Sequence, residues 1–394
     1  MGVGALIGAY QEDDSGGLRA LLPLAGRTLL EYQARCASAA GASPLVVVVE
    51  RVPQALQDAL ERLRLDGVGI VAVSAIEEAV SRFEAGSSIL LIGDGVAPPA
   101  SLVAELAEEP EPAIATVPDD EIHEAYERID DRSRWAGVAL VDAHMLGSTA
   151  AMLGDWDLQS TLLRRSLQEG ARLIPAAEAG GEPLLVERPE QLEAFQRTLV
   201  TASRGARSDW ASRYLLPPVE EFATEQLMET GIRPAWLIWG ALLLTIAAAI
   251  AFARGWPITA TIMLVLSTPL DLVAVRLASL RLRPLPVRMV SREALWPAAG
   301  LALVALGWWD MSRALGWGPL LAAGTAAAFA EAARIEKSSM PPGGEVWLFS
   351  RRNAIFAAIP FAVFGSWTPY LLAMLLYAAI SFFIVQHVRH TQPS

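Results

Sequence analysis

Six apolar stretches follow one another between about Trp236 and Val388, and they constrain the chain more than any other feature in it. Each is long enough, or nearly so, to cross a hydrocarbon core about 30 Å thick at about 1.5 Å per helical residue. The expected spans are 234–253, 257–278, 294–312, 317–334, 353–367 and 369–388. Residues 1–200 contain no such stretch and instead alternate short Val/Ile/Leu runs with charged segments of helical spacing, the pattern of a water-facing α/β domain. Three parts are expected: a Rossmann-like α/β domain over 1–202, an amphipathic juxtamembrane linker helix over 203–233, and an all-α six-helix transmembrane bundle over 234–394.

A hydrophobic content of 53% is high for a purely soluble protein, so the formal charge of −12 sits mostly on the first half. An acidic, solvated domain argues against nucleic acid as a partner, because a phosphate backbone calls for a basic face. Cationic residues set the expected orientation. Arg281, Arg283, Arg288 and Arg292 lie between the second and third spans, and Arg334, Lys337, Arg351 and Arg352 between the fourth and fifth. The loops on the other side carry only Arg254 and Arg313, which predicts six crossings of the plasma (inner) membrane with both termini cytoplasmic. The fifth span is short, and losing it would flip the C-terminus alone. The four histidines make no metal-ligand spacing, and the single cysteine, Cys36, reads as a small buried residue in a reducing compartment.

Within the first half, strands are expected at 2–10, 44–50, 69–73 and 88–92, with helices at 28–40, 53–65 and 76–83. The opening strand is too short for a signal peptide and lacks a basic start. Strict alternation implies a parallel sheet with crossover helices, whose ligands bind beyond the carboxyl ends of the strands. Gly93-Asp94-Gly95 falls at such an end.

The run Leu18 to Tyr32 (LRALLPLAGRTLLEY), followed by Ala40-Gly41-Ala42 and the Leu45 to Val49 strand, resembles the P-K-x-L-x-P-L-x-G-x-P-L-L-E-Y stretch of sugar-phosphate nucleotidyltransferases. The resemblance implies CTP as nucleotide, bound at Arg19, Gly93 and Asp94, with the Asp94 carboxylate on Mg²⁺. The chain departs from that family where glycine amides would cradle a triphosphate, since it carries Glu12, Asp13 and Asp14 there. One like-charge pair at 4 Å costs about 4 kcal/mol at an effective dielectric near 20. Leu184 to Leu192 resembles the family's D-V-D-T-P-E-D-L, but Leu185 and Glu187 replace its aspartates.

Arg207 to Tyr214 and Thr230 to Ala235 resemble the segments leading into the first span of the bifunctional inositol-1-phosphate cytidylyltransferase and CDP-inositol:inositol-phosphate transferase family. Between them Val219, Phe222, Ala223 and Leu227 recur at helical spacing, as in a helix lying on a membrane surface or in a plain linker. CDP-alcohol phosphotransferases carry D-x2-D-G-x2-A-R-x8-G-x3-D-x3-D. On that motif Asp271 and Arg276 are retained and Glu293 stands for the last acid, whereas Thr268, Leu272, Leu285 and Met289 replace the other acids and both glycines. The resemblance assigns Mg²⁺ to Asp271 and Glu293 and phosphate to Arg276.

Asp271 needs an explanation, since an acid within a span costs roughly 2.5 to 3.5 kcal/mol. Pairing with Arg276 or hydration at the membrane boundary would also account for it. Asp310 reads as a solvated acid beside the Trp308-Trp309 belt. The Arg281 to Arg292 series fits the positive-inside asymmetry, and would equally serve anionic lipid headgroups or a substrate phosphate. Two functions follow. One is a membrane CDP-alcohol phosphotransferase acting on a polyol-phosphate or lipid acceptor, its nucleotidyltransferase half inactive. The other is a pseudoenzyme that assembles with lipid-metabolising enzymes. The family implies a homodimer through the membrane helices.

Overall fold

The computed structural model describes residues 2–152, 157–186, 188–202, 207, 209–228, 230–282, 289–314, 316–337 and 346–391. The chain divides into two compact units, Met1–Thr201 with Leu280–Arg283, and Ala202–Ser279 with Pro284–Ser394.

The first unit is built on a seven-stranded sheet. In chain order the strands of the unit are β1 (Val3–Gly8), β2 (Pro23–Leu24), β3 (Arg27–Thr28), β4 (Leu45–Val48), β5 (Ile70–Val73), β6 (Ser88–Ile92), β7 (Val96–Ala97), β8 (Ala113–Pro118), β9 (Ser133–Asp142), β10 (Arg172–Pro175) and β11 (Leu184–Leu185). The large sheet has the order β10-β8-β9-β6-β1-β4-β5. Its helices are α1 (Leu29–Ala39), α2 (Gln54–Leu65), α3 (Ile76–Ser81), α4 (Ala100–Glu108), α5 (Ala143–Ala150), α6 (Leu158–Gln168) and α7 (Pro189–Ala202).

The parallel set β6-β1-β4-β5 matches the alternation of the sequence. The sheet as a whole is mixed, because β9 runs antiparallel to both β6 and β8. Its continuous apolar run is buried on both faces, which local pattern cannot orient. The α1 boundary follows from its residues: Thr28 accepts from the Glu31 amide and Glu31 returns a bond to the Thr28 amide, a capping box. Leu6, Val46, Ile89, Leu91, Ile114, Leu146 and Leu162 share one core, each such side chain contributing about 1.5 to 3 kcal/mol. Cys36 is buried, and burial pushes its thiol up to about 12.

From β1 the chain moves to β4 on one side and later returns to β6 on the other. That reversal leaves a crevice beyond the carboxyl ends of β1 and β6, where residues 8–11 and 93–95 meet. Gly137, with φ of +78°, backs this crevice; a Cβ there would lie 2.4 Å from Val96 Cγ2.

The second unit is helical: α8 (Pro217–Met228), α9 (Pro234–Ala253), α10 (Pro257–Leu280), α11 (Val290–Ala314), α12 (Gly318–Lys337), α13 (Arg351–Phe364) and α14 (Trp367–Thr391). All six apolar stretches are therefore helical, but four helices are long and apolar enough to cross a membrane: α9, α10, α11 and Trp367–Val388 of α14, with mean hydropathies of 2.2, 1.9, 1.2 and 2.0. Charges thin the apolar length of α12 at Glu331, Arg334, Glu336 and Lys337, and the 14 residues of α13 reach only about 21 Å.

Small residues let α9 to α14 approach one another around a core that includes Ala248, Ala302, Ala323, Ala326 and Ala358. A Cβ at Gly307 would sit 2.7 Å from that of Ala323. Large apolar side chains, among them Trp236, Trp256, Leu301, Leu321 and Phe364, point outward. Within α10, Pro269 cannot donate to the Val265 carbonyl, and the Thr268 hydroxyl does so instead at 2.7 Å. The position where the motif has its first acid thus repairs the helix.

Candidate functional site

The crevice of the first unit holds a cavity of about 430 Å³ lined by Tyr10, Arg19, Asp94, Glu127, Asp157 and Gln159, among others. Asp94, 4% exposed, sits at the end of β6. Its Oδ2 accepts from the amides of Tyr10 and Gln11, both at 2.6 Å, which clamps the strand-to-loop turn after β1. Its Oδ1 is buried without a hydrogen-bond partner among the described residues. Burial pushes the Asp94 carboxyl up to about 6, against the lowering pull of the Gln11 and Tyr10 amides and of the Arg19 charge. The Tyr10 hydroxyl donates to Asp157 Oδ2 at 3.1 Å and is pushed above its ordinary range, first by burial and then by the Asp157 charge.

Arg19 and Gly93 line the same cavity as Asp94, but both are engaged. The Arg19 guanidinium donates to the Glu12 carbonyl at 3.0 Å and to Gln11 Oε1 at 3.1 Å. The Gly93 amide donates to the Gly137 carbonyl and its own carbonyl accepts from Gln33, so Gly93 serves packing. In the neighbouring loop Asp13 Oδ1 accepts from the Ser15 and Gly17 amides at 2.9 and 2.8 Å. Donors of the kind that would cradle a phosphate are thereby turned onto a carboxylate of the chain itself. Glu12 pairs with Arg51 at 2.7 Å. Glu127 and Asp157 were not legible as cleft residues; Asp157 announces itself only as the N-cap of α6, accepting from the Ser160 amide.

The predicted residues of the second unit do not converge as expected. Asp271 does not pair with Arg276. Its Oδ2 lies 3.0 Å from Arg351 and 2.7 Å from Arg352, and Arg352 also binds Asp209 at 2.8 Å. Arg276, almost wholly buried, pairs instead with Glu220 of α8 at 3.2 Å, and Arg207 approaches the same carboxylate at 3.4 Å. Asn353 completes the network by accepting from the Ala211 amide and donating to the Leu348 carbonyl. Glu293 is exposed at the start of α11, near the charge of Arg334. Asp310 is not solvated: it is buried and accepts from the Thr368 hydroxyl. Leu285, Arg283, Arg288 and Glu187 lie outside the described residues.

The Mg²⁺ assignments meet different fates. At Asp271 Oδ2 already holds two guanidinium groups, and although Oδ1 has no hydrogen-bond partner among the described residues, the exposed Glu293 shows no contact with this carboxylate, so a two-metal site does not fit. At Asp94 one oxygen is unpartnered and could serve a cation, yet no group of three His, Cys, Asp or Glu side chains among the described residues could hold a metal ion.

A family model described as a MobA-like NTP transferase domain matches residues 15–216. No curated protein matches the chain. Similar solved structures include the inositol-1-phosphate CTP transferase from T. maritima, at 14% identity over 52% of this chain and 97% of that one, with a TM-score of 0.40. A UDP-glucose pyrophosphorylase complexed with UDP-glucose is 9% identical over 51% and 100%, with a TM-score of 0.38. A 4-diphosphocytidyl-2C-methyl-D-erythritol synthase is 15% identical over 50% and 98%, with a TM-score of 0.36.

Proposed function

Because the chain belongs to the MobA-like NTP transferase domain family through residues 15–216, we propose that it is a membrane-anchored member of that family that binds ligands without turning nucleotide over. It descends from a two-site transferase and serves as a binding or assembly partner of lipid-metabolising enzymes. The observation that carries this reading is the double arginine clamp on Asp271, which uses the one acid retained at the centre of the phosphotransferase motif. The first unit supports it in the same sense, since Asp13 takes up the loop amides and three carboxylates face one arginine in the crevice. Four apolar helices supply the anchor, and the arginine asymmetry supports six crossings with both termini cytoplasmic.

The competing reading, an active CDP-alcohol phosphotransferase, requires Asp271 to be released from both arginines and to gather Mg²⁺ with Glu293. The test uses the full chain in detergent, supplied with Mg²⁺ and either CTP plus a polyol phosphate or a CDP-alcohol plus acceptor. No pyrophosphate and no CMP should appear above the level of a heat-treated sample. CMP release that vanishes in Asp271→Asn would establish the phosphotransferase and end the binding-protein reading.

A further inference from the structure

The second unit contains a cavity of about 460 Å³ walled by all of α9 to α14. Its lining is apolar along most of its length, with Leu264, Trp296, Leu303, Ala327, Ile355 and Tyr370 contributing, and is charged only where Glu331 and Arg351 reach it. Glu331 is occupied by Arg334 on the same helix. Arg351 is different. It is 8% exposed, and its Nη1 and Nη2 make no hydrogen bond among the described residues. Its charge partner is Asp271 Oδ2 at 3.0 Å, an atom that Arg352 approaches more closely, at 2.7 Å. A buried guanidinium with half a share in one carboxylate oxygen gains from any further anion that can reach it.

We propose that this cavity is a lipid site: it takes one acyl chain of an amphiphile whose anionic head, a carboxylate or a phosphate, rests on Arg351. The apolar wall repels water, which needs two or more polar partners, and suits a hydrocarbon chain of matching volume. The guanidinium presents a planar fork of donors that carboxylate and phosphate oxygens match, whereas a neutral or cationic head would leave those donors unpaired. The site depends on these helices lying in a bilayer and is independent of whether turnover has been lost.

The test measures thermal stabilisation of the full chain in a non-ionic detergent with four probes: palmitate, phosphatidylglycerol, hexadecanol as a chain without charge, and glycerol phosphate as a head without chain. Palmitate or phosphatidylglycerol should bind about tenfold more tightly than hexadecanol, as one charge-assisted contact gives, and glycerol phosphate should give no shift. Which of the first two binds assigns the head to carboxylate or phosphate. Arg351→Gln, in which Arg352 still holds Asp271, should bring palmitate and hexadecanol to equal affinity. Gly300→Leu fills the cavity, since the nearest atom to a Cβ there is Ala327 Cβ at 3.9 Å, and should abolish binding of both. Equal binding of palmitate and hexadecanol by the unaltered chain, undiminished binding by Gly300→Leu, or stabilisation that follows dimerisation and not lipid would overturn the site.

Discussion

Asp94 is held by two amides and still carries a carboxyl raised to about 6, because burial outweighs the bonds to one of its oxygens. The linkage has a definite sign. The folded state binds this proton more tightly than the unfolded chain, so the stabilisation is fully present below pH of about 4 and is lost as pH rises through about 6. Asp94→Asn keeps an acceptor for both amides and removes the buried charge. It should raise stability at pH 8 by up to about 3 kcal/mol and flatten the melting-temperature profile between pH 4 and 7, as scanning calorimetry would register. An unchanged profile would mean that another group governs that window. The position of Asp94 was legible, since an apolar run ending in Gly-Asp-Gly marks a strand end. The partners of Asp271 were not. Arg352 lies 81 residues away along the chain, and charge pairing across such a distance leaves no trace in spacing.

At the scale of elements, α8 has the apolar residues expected of an amphipathic helix at a membrane surface and turns Val219 and Phe222 away from the protein. Val219 and Phe222 are 48% and 68% exposed, while Glu220, Thr224 and Met228 face inward at intervals of four. The reason is the Glu220–Arg276 pair: a buried arginine on α10 draws the polar stripe of α8 towards it and leaves the apolar stripe for the membrane surface. Glu220→Leu alone removes one carboxylate partner of the buried Arg276 and should destabilise the detergent-solubilised chain by up to about 3 kcal/mol. Adding Arg276→Met should recover most of that loss, and a double variant as unstable as the single one would show that the pair does not orient the helix. Helical periodicity revealed α8, and unbroken apolar length revealed the six apolar helices. The antiparallel course of β9 stayed hidden, because a strand buried on both faces carries no directional pattern.

For the molecule as a whole, the division into a sheet-based unit and a helical one follows from hydropathy, which reports burial or lipid contact directly. The number of crossings is less legible, because a helix such as α12 mixes a packed, alanine-rich face with charges near its end. Topology can be measured with the chain's own chemistry. Cys36 is buried with its thiol pushed up to about 12, so it should stay silent to a membrane-impermeant maleimide. On the proposed topology Ser394→Cys should then label only in inside-out vesicles, and labelling from the outer face would overturn that proposal. The brevity of α13 bears on where such a protein would settle. On the proposed six-crossing topology α13 would span the bilayer, and a helix of about 21 Å in a hydrocarbon layer of about 30 Å would force lipids to thin beside it, at fractions of a kcal/mol per Å of mismatch. Summed over the shortfall, that strain favours thin or short-chain bilayers, so lipid thickness itself should decide where in the cell's envelope the chain accumulates.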